Sequence, residues 1–203
     1  MAGIVIVDYG MANLRSVQKA FERFGHPATI SDRPEVIEQA DRLVLPGVGA
    51  FRDAIARLHE AHLAEPIVRH IQRDRPFFGI CLGFQLLFDV SLEEGRYQGL
   101  GVFAGEVVRF ATVPGLKVPH MGWNRLRLRQ RPPAFAGTNE GDSVYFVHSY
   151  YPVPKDATLI AAEADYPTPF CAAIARGNLV ATQFHPEKSQ RVGLEMLKRF
   201  AEG

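Results

Sequence analysis

Cysteine is scarce in this chain, which has two thiols, Cys81 and Cys171, among 203 residues. Two widely separated thiols build no disulfide framework, and no Cys/His cluster has the spacing of a zinc site. No metal or other cofactor is therefore expected. Charge of one sign is also lacking: the formal net charge of +1 gives no broad attraction to nucleic acid or to a membrane surface. Long apolar runs are missing too. The most apolar stretch, Phe77 to Phe88, contains Gln85 and is too short and too polar to cross a bilayer. The start, MAGIVIVDYG, has no basic region ahead of a cleavable apolar segment and does not read as a signal peptide. There is no phosphate loop, no dinucleotide fingerprint and no repeat. What is present is 47% hydrophobic and 22% charged residues, the balance of a soluble globular protein. The expectation is one cytoplasmic domain spanning 1–203.

The order of elements predicts an α/β fold. Gly3 to Asp8 is a β-branched apolar run, as expected of a strand buried on both faces of a parallel sheet. Leu14, Val17, Phe21 and Phe24 then form a helical stripe, with Asn13 as N-cap and Gly25 as stop. Short strands are expected at 28–30, at 42–45 (halted by Pro46 and Gly47) and at 77–80. Helices are expected after Pro34, at 51–59, at 63–73 with a break near Pro66, and from Leu82 to Val90. Strands alternating with helices imply a mostly parallel sheet. The second half, with strand-like segments at 101–110, 122–129, 143–147, 158–164, 171–176 and 179–184, implies an antiparallel extension. A last helix over 189–201 would use Ser189 as N-cap and bury Leu194, Leu197 and Phe200. The fold class is thus three-layered, a mixed sheet with helices on both faces.

Two motifs carry chemistry. Gly79-Ile80-Cys81-Leu82-Gly83 sits between a buried strand and a helix, the G-x-C-x-G form of a nucleophile elbow. A helix starting after Cys81 would aim its free N–H groups at the sulfur and favour the reactive thiolate, and the Leu82 N–H would face an oxyanion. The competing reading is a buried cysteine acting as a small hydrophobe, which is how Cys171 reads. Gln183-Phe184-His185-Pro186-Glu187 follows a late strand. Pro186 forces extended backbone before it, and residues two apart on an extended segment share a face. Glu187 can then fix the His185 tautomer while the other ring nitrogen serves the nucleophile. Alone, His-Pro-Glu would be a surface turn; beside a cysteine elbow it completes a triad. His26, His59, His62 and His70, set among charges, read as solvated surface.

These motifs, GICLGFQLLF and QFHPEKS, resemble those of the class I, triad-type glutamine amidotransferases. DYGMANLRSV at 8–17, PGVGAF at 46–51, KVPHMGWN at 117–124 and YFVHSYY at 145–151 are similar to the subfamily of glutaminase subunits of imidazole glycerol phosphate synthase. The resemblance covers essentially the whole chain. Two departures, Ala12 where that group has Gly and Phe84 where Met is common, remove no reactive group. The resemblance implies hydrolysis of glutamine to glutamate and ammonia by Cys81, His185 and Glu187. It implies an oxyanion strand at Pro46–Gly49, with the N–H of Val48 or Gly49 joining that of Leu82. Its glycines let a peptide flip cheaply, so the hole could be completed only when a partner is at work. The resemblance also implies glutamine contacts from Gly49, Gln85, Glu93 and the backbone of Ser149 and Tyr150. A partner face is implied at Asn13, Pro119, Met121, Trp123 and Asn124, docking a cyclase (β/α)8 barrel as heterodimer in histidine biosynthesis. Three other readings stay open: a glutaminase subunit of another synthase, a free-standing γ-glutamyl hydrolase, and a degenerate regulatory binder.

Overall fold

The computed structural model describes residues 2–203. Its first half alternates as expected: β1 (Ala2–Val7), α1 (Leu14–Glu22), β2 (Ala28–Ser31), α2 (Pro34–Glu38), β3 (Ala40–Gly47), α3 (Phe51–Glu60), α4 (Ala64–Gln72) and β4 (Phe77–Cys81). A single helical turn, α5 (Leu82–Gln85), then leads into β5 (Phe88–Ser91) and β6 (Tyr97–Gln98). The rest comprises β7 (Phe103–Arg109), β8 (His120–Arg125), β9 (Arg127–Leu128), β10 (Ser143–His148), β11 (Tyr150–Pro154), β12 (Ile160–Asp165), β13 (Pro169–Arg176), β14 (Leu179–Thr182) and α6 (Gln190–Glu202).

Eight strands form the main sheet in the order β2-β1-β3-β4-β14-β13-β12-β9. The five from β2 to β14 are parallel, and β13, β12 and β9 extend the sheet antiparallel. Side chains alternate between two cores. Ile4, Ile6, Val44, Phe78 and Ile80 point to the face covered by α1 and α6, where Phe200 packs edge-on against Phe78 at 5.4 Å. Val5, Val7, Leu43, Leu45 and Phe77 point to the other, covered by α3 and α4 through Phe51, Leu58 and Ile67. A strand apolar on both sides is what a sheet with helices on both faces requires.

Several local expectations are corrected. The helix over 82–90 ends after one turn, because Phe88 and Val90 alternate into a strand parallel to β7. Pro46 does not halt β3; β1 stops pairing at Val44, so the missing N–H faces no ladder there, while Pro46 and Gly47 still lie opposite Ile80 and Cys81 of β4. Pro66 falls in the first turn of α4, where no intrahelical donor is lost, and breaks nothing. Asn13 and Ser189 hold the cap positions of α1 and α6 without a side-chain capping bond. Two smaller sheets, β11-β7-β5-β6 and β10-β8, were not foreseen as separate units. His70 is buried, its Nε2 3.0 Å from the Pro76 carbonyl, so it is no surface residue.

Candidate active site

Ligands of open α/β sheets sit at the carboxyl ends of the strands, and here three adjacent parallel strands end together. Thr182 of β14 pairs with Ile80 of β4, and Gly47 of β3 pairs with Cys81. Cys81 is therefore flanked by the Pro46–Gly49 segment on one side and by Gln183–Glu187 on the other. About a hundred residues of intervening chain are irrelevant once that register is set.

The turn at Cys81 is strained. Its φ of 54° and ψ of −110° are left-handed values for a residue with a Cβ, a conformation costing about 1–3 kcal/mol. Neighbouring glycines make it feasible. A Cβ on Gly83 would overlap the Leu45 carbonyl oxygen, and one on Gly79 would lie 2.9 Å from the Ala181 Cβ. Cys81 is 6% exposed, and its sulfur receives the Gln183 amide at 3.7 Å. With only one helical turn beyond it, the helix dipole contributes little, and charge partners come from the facing strand end instead.

His185 supplies that charge. Its Nδ1 is 2.8 Å from Glu187 Oε1, and the two side chains are 3% and 2% exposed. Nε2 is buried and, among the described residues, has no hydrogen-bond partner, as is the case for Glu187 Oε2. Burial opposes a charged imidazole, but the Cys81 sulfur as thiolate and the Glu187 carboxylate outweigh it and hold His185 up at about 10. The backbone is anchored as well: His185 N–H donates to the Tyr145 carbonyl at 3.0 Å, and the Ser189 hydroxyl donates to the His185 carbonyl at 2.6 Å. The site thus brings a buried thiol and a carboxylate-oriented imidazole to one cavity.

Both groups line an open cavity of about 620 Å³, together with Val48, Gly49, Leu82, Gln85, Glu93, Ser149 and Tyr150. Every proposed substrate residue is therefore gathered at one place. Pro119 reaches its rim. Glu93 also anchors backbone, for its carboxylate accepts the Phe51 N–H at 2.7 Å and so ties the start of α3, while burial raises its pKa. Gln85 is buried and satisfied by the Tyr150 carbonyl at 2.9 Å and by Gln183 Oε1 at 3.0 Å.

The oxyanion strand differs from the expected arrangement. The Val48 N–H donates to the Met11 carbonyl at 2.9 Å and is not free for an oxyanion. Gly49 holds φ +97°, and a Cβ there would lie 2.8 Å from Met11 Cε. Tyr9 braces the same segment, its hydroxyl donating to the Pro46 carbonyl at 3.0 Å; burial, and then the Cys81 charge, push that phenol's pKa well up.

The partner-face residues divide. Met121 and Trp123 are 63% and 49% exposed on one side of β8, whereas Asn124 is half-buried on the other. Asn13 is exposed and lines a separate cavity with Asp8, Arg15 and Gln18. Sequence reasoning missed Gln183, Tyr9, His120, His148 and Arg109, the last a cation on the cavity wall. Gln183 could have been found, since it shares the two-residue spacing of His185 and Glu187. Among the described residues, no helix is long and apolar enough to cross a membrane.

The sequence matches the family described as glutamine amidotransferase class-I over residues 5–202. It is 58% identical to the imidazole glycerol phosphate synthase subunit HisH of Syntrophotalea carbinolica, covering 98% of this chain and 99% of that one. It is 55% identical to the protein of the same name from Geobacter sulfurreducens, covering 100% and 99%. Among solved structures, one described as a glutamine amidotransferase superposes with a TM-score of 0.73 at 20% identity, over 99% of this chain and 100% of that chain. One described as PurLQS from Thermotoga maritima gives 0.72 at 18%, over 98% and 97%.

Proposed function

Because the chain belongs to the class I glutamine amidotransferase family, we propose that Cys81, His185 and Glu187 carry out the hydrolysis of glutamine in its cavity. The activity is that of the glutaminase subunit of imidazole glycerol phosphate synthase, in histidine biosynthesis. The observation that carries the residue assignment is the buried Cys81 facing the same cavity as the Glu187-bound imidazole of His185.

The chemistry follows from the charges. The Cys81 thiolate attacks the side-chain amide carbon of glutamine, forming a C–S bond and an oxyanion. As the C–N bond breaks, His185 gives its Nε2 proton to the leaving nitrogen, releasing ammonia and a γ-glutamyl thioester. The now neutral imidazole takes a proton from water, which attacks the thioester. Glutamate leaves as the C–S bond breaks, and the thiolate and imidazolium are restored. Glu187 keeps the ring oriented with Nε2 toward the sulfur. Glu93 and Arg109, of opposite sign in the cavity lining, match the ammonium and carboxylate of an amino acid. Ser149 and Tyr150 offer backbone contacts, and Gly49 admits the substrate close to the chain. The Leu82 N–H supplies one oxyanion donor.

At Val48 a second donor becomes available only if its N–H releases the Met11 carbonyl. That favours a partner-controlled glutaminase over a free-standing hydrolase, for an oxyanion-hole donor is worth about 10²–10³ in rate. The partner we assign is the cyclase (β/α)8 barrel subunit, docking at Pro119, Met121, Trp123 and Asn124, with Asn13 as a separate contact, in a cytoplasmic heterodimer. The exposed tryptophan and methionine are side chains enriched at interfaces. Cys81→Ala in the two-subunit enzyme tests the assignment. Glutamine-dependent turnover is expected to vanish while synthesis from added ammonium salt continues; persistent release of ammonia from glutamine would overturn it.

A further inference from the structure

The steps of glutamine hydrolysis use neither His120 nor His148, yet both rings are buried, 4% and 6% exposed. They also touch: His120 Nδ1 lies 3.0 Å from His148 Nε2. Two imidazoles buried in contact need one defined proton arrangement, and their neighbours dictate it. The Tyr150 carbonyl can only accept, so His148 Nδ1, 2.8 Å away, carries hydrogen. In a neutral ring its Nε2 then accepts, and His120 Nδ1 must donate. His120 Nε2 in turn accepts from the Asn124 amide nitrogen at 3.3 Å. The orientation of that amide is fixed, because its oxygen receives the Arg125 N–H at 2.8 Å and its nitrogen also donates to the Asp165 carbonyl at 2.9 Å. A proton added to either ring would set an N–H of His120 against the Asn124 NH2. Burial works in the same direction, lowering His120 to about 4 and His148 to about 3.

The inner end of this series is the Tyr150 carbonyl, which also accepts from Gln85; Gln85 bonds Gln183, and Gln183 reaches the Cys81 sulfur. Its outer end, Asn124, follows the exposed Trp123 on β8. Resting on the glutaminase reading of the cavity, we propose that His120 and His148 are positioning residues, a one-tautomer relay that holds the Tyr150 peptide in register with Gln85 and the nucleophile from the side of the partner face. Neither ring needs to touch substrate to do this.

Two measurements test it. Long-range proton–nitrogen NMR of the histidine rings in the full chain is expected to show both as neutral Nδ1–H tautomers, unchanged across the range around pH 6.5 where free imidazole titrates. An Nε2–H tautomer in either ring, or titration near that value, would overturn the relay. The second uses His120→Phe, which keeps an aromatic ring stacked on Tyr166 and Phe146 (centroids 4.0 and 4.8 Å away in the native protein) but has no nitrogens. In the two-subunit enzyme its KM for glutamine is expected to rise about tenfold, the scale of one lost orienting hydrogen bond. Alkylation of Cys81 by iodoacetamide, which needs no Tyr150 contact, should keep its native rate. An unchanged KM, or an equal loss of alkylation, would overturn the proposal. If the native enzyme releases no ammonia from glutamine, the activity reading fails with the positioning role, a result seen before any variant is made.

Discussion

In the proposed mechanism a proton on His185 Nε2 goes to the leaving ammonia, and two negative neighbours favour that proton against the cost of burial. The sign of the pH dependence follows. With a folded value of about 10, His185 stays protonated through neutral pH and loses its proton only as the pH climbs toward that value. Acylation measured in single turnovers is therefore expected to be flat across neutral pH and to fall on the alkaline side near 10. Glu187→Gln removes one of the two supporting charges, so its alkaline limb should move to lower pH, with a rate loss of tenfold or more from the misoriented ring. An alkaline limb unmoved by the substitution would show that Glu187 does not support the charge. At this scale the geometry of the candidate site was largely legible. The Gly-x-Cys-x-Gly turn and the two-residue spacing of His185 and Glu187 are local patterns with local geometric consequences. His120 and His148 were not legible, because their roles exist only once β8 and β10 pair and bring positions 120 and 148 opposite one another.

The elements explain why those residues stay in place. The turn bearing His185 and Glu187 is pressed between β10 and α6, and its Pro186 sits on Gly193. A Cβ at Gly193 would overlap the Pro186 carbonyl oxygen and lie 2.6 Å from the Pro186 Cα. Since the obstruction is backbone, relief has to come from moving the turn or the helix. Gly193→Ala is therefore expected to cost about 1–3 kcal/mol of stability, as overpacking does, and to lower glutaminase turnover more than the stability loss alone explains. Chemical denaturation together with single-turnover acylation measures both. A variant that is destabilised but fully active when folded would separate α6 from the positioning of His185. Element types were read well wherever the pattern was long, as in β1, α1 and α6. The misreading after Cys81 has a physical cause. Leu86, Leu87 and Phe88 form a short apolar run that suits a buried helix or a buried strand equally, and only pairing with β7 decides. Pro46 misled for the opposite reason: its effect depends on where the neighbouring strand ends, which no local window contains.

For the molecule as a whole, the main sheet and its two helical layers were foreseen, the two small sheets were not, and the latter matter for coupling. β8 carries Met121 and Trp123 outward, and its partner β10 places Tyr145 opposite Trp123. The Tyr145 carbonyl holds the His185 peptide, and its N–H is held by Ser189 at 2.9 Å. The proposed partner face thus lies on a two-stranded ribbon whose β10 backbone bonds that of His185, while the Val48 N–H is held by Met11. A chain built this way should be nearly idle alone. Adding the cyclase partner and its nucleotide substrate is expected to raise glutamine hydrolysis by at least the 10²-fold that one oxyanion donor supplies. Trp123→Ala should weaken partner binding by about 2 kcal/mol, as loss of a central aromatic anchor does, and reduce that stimulation while leaving the KM for glutamine near its native value. Full activity of the isolated chain would show that the Met11–Val48 contact does not restrain it, and a raised KM with intact stimulation in Trp123→Ala would place the docking face elsewhere.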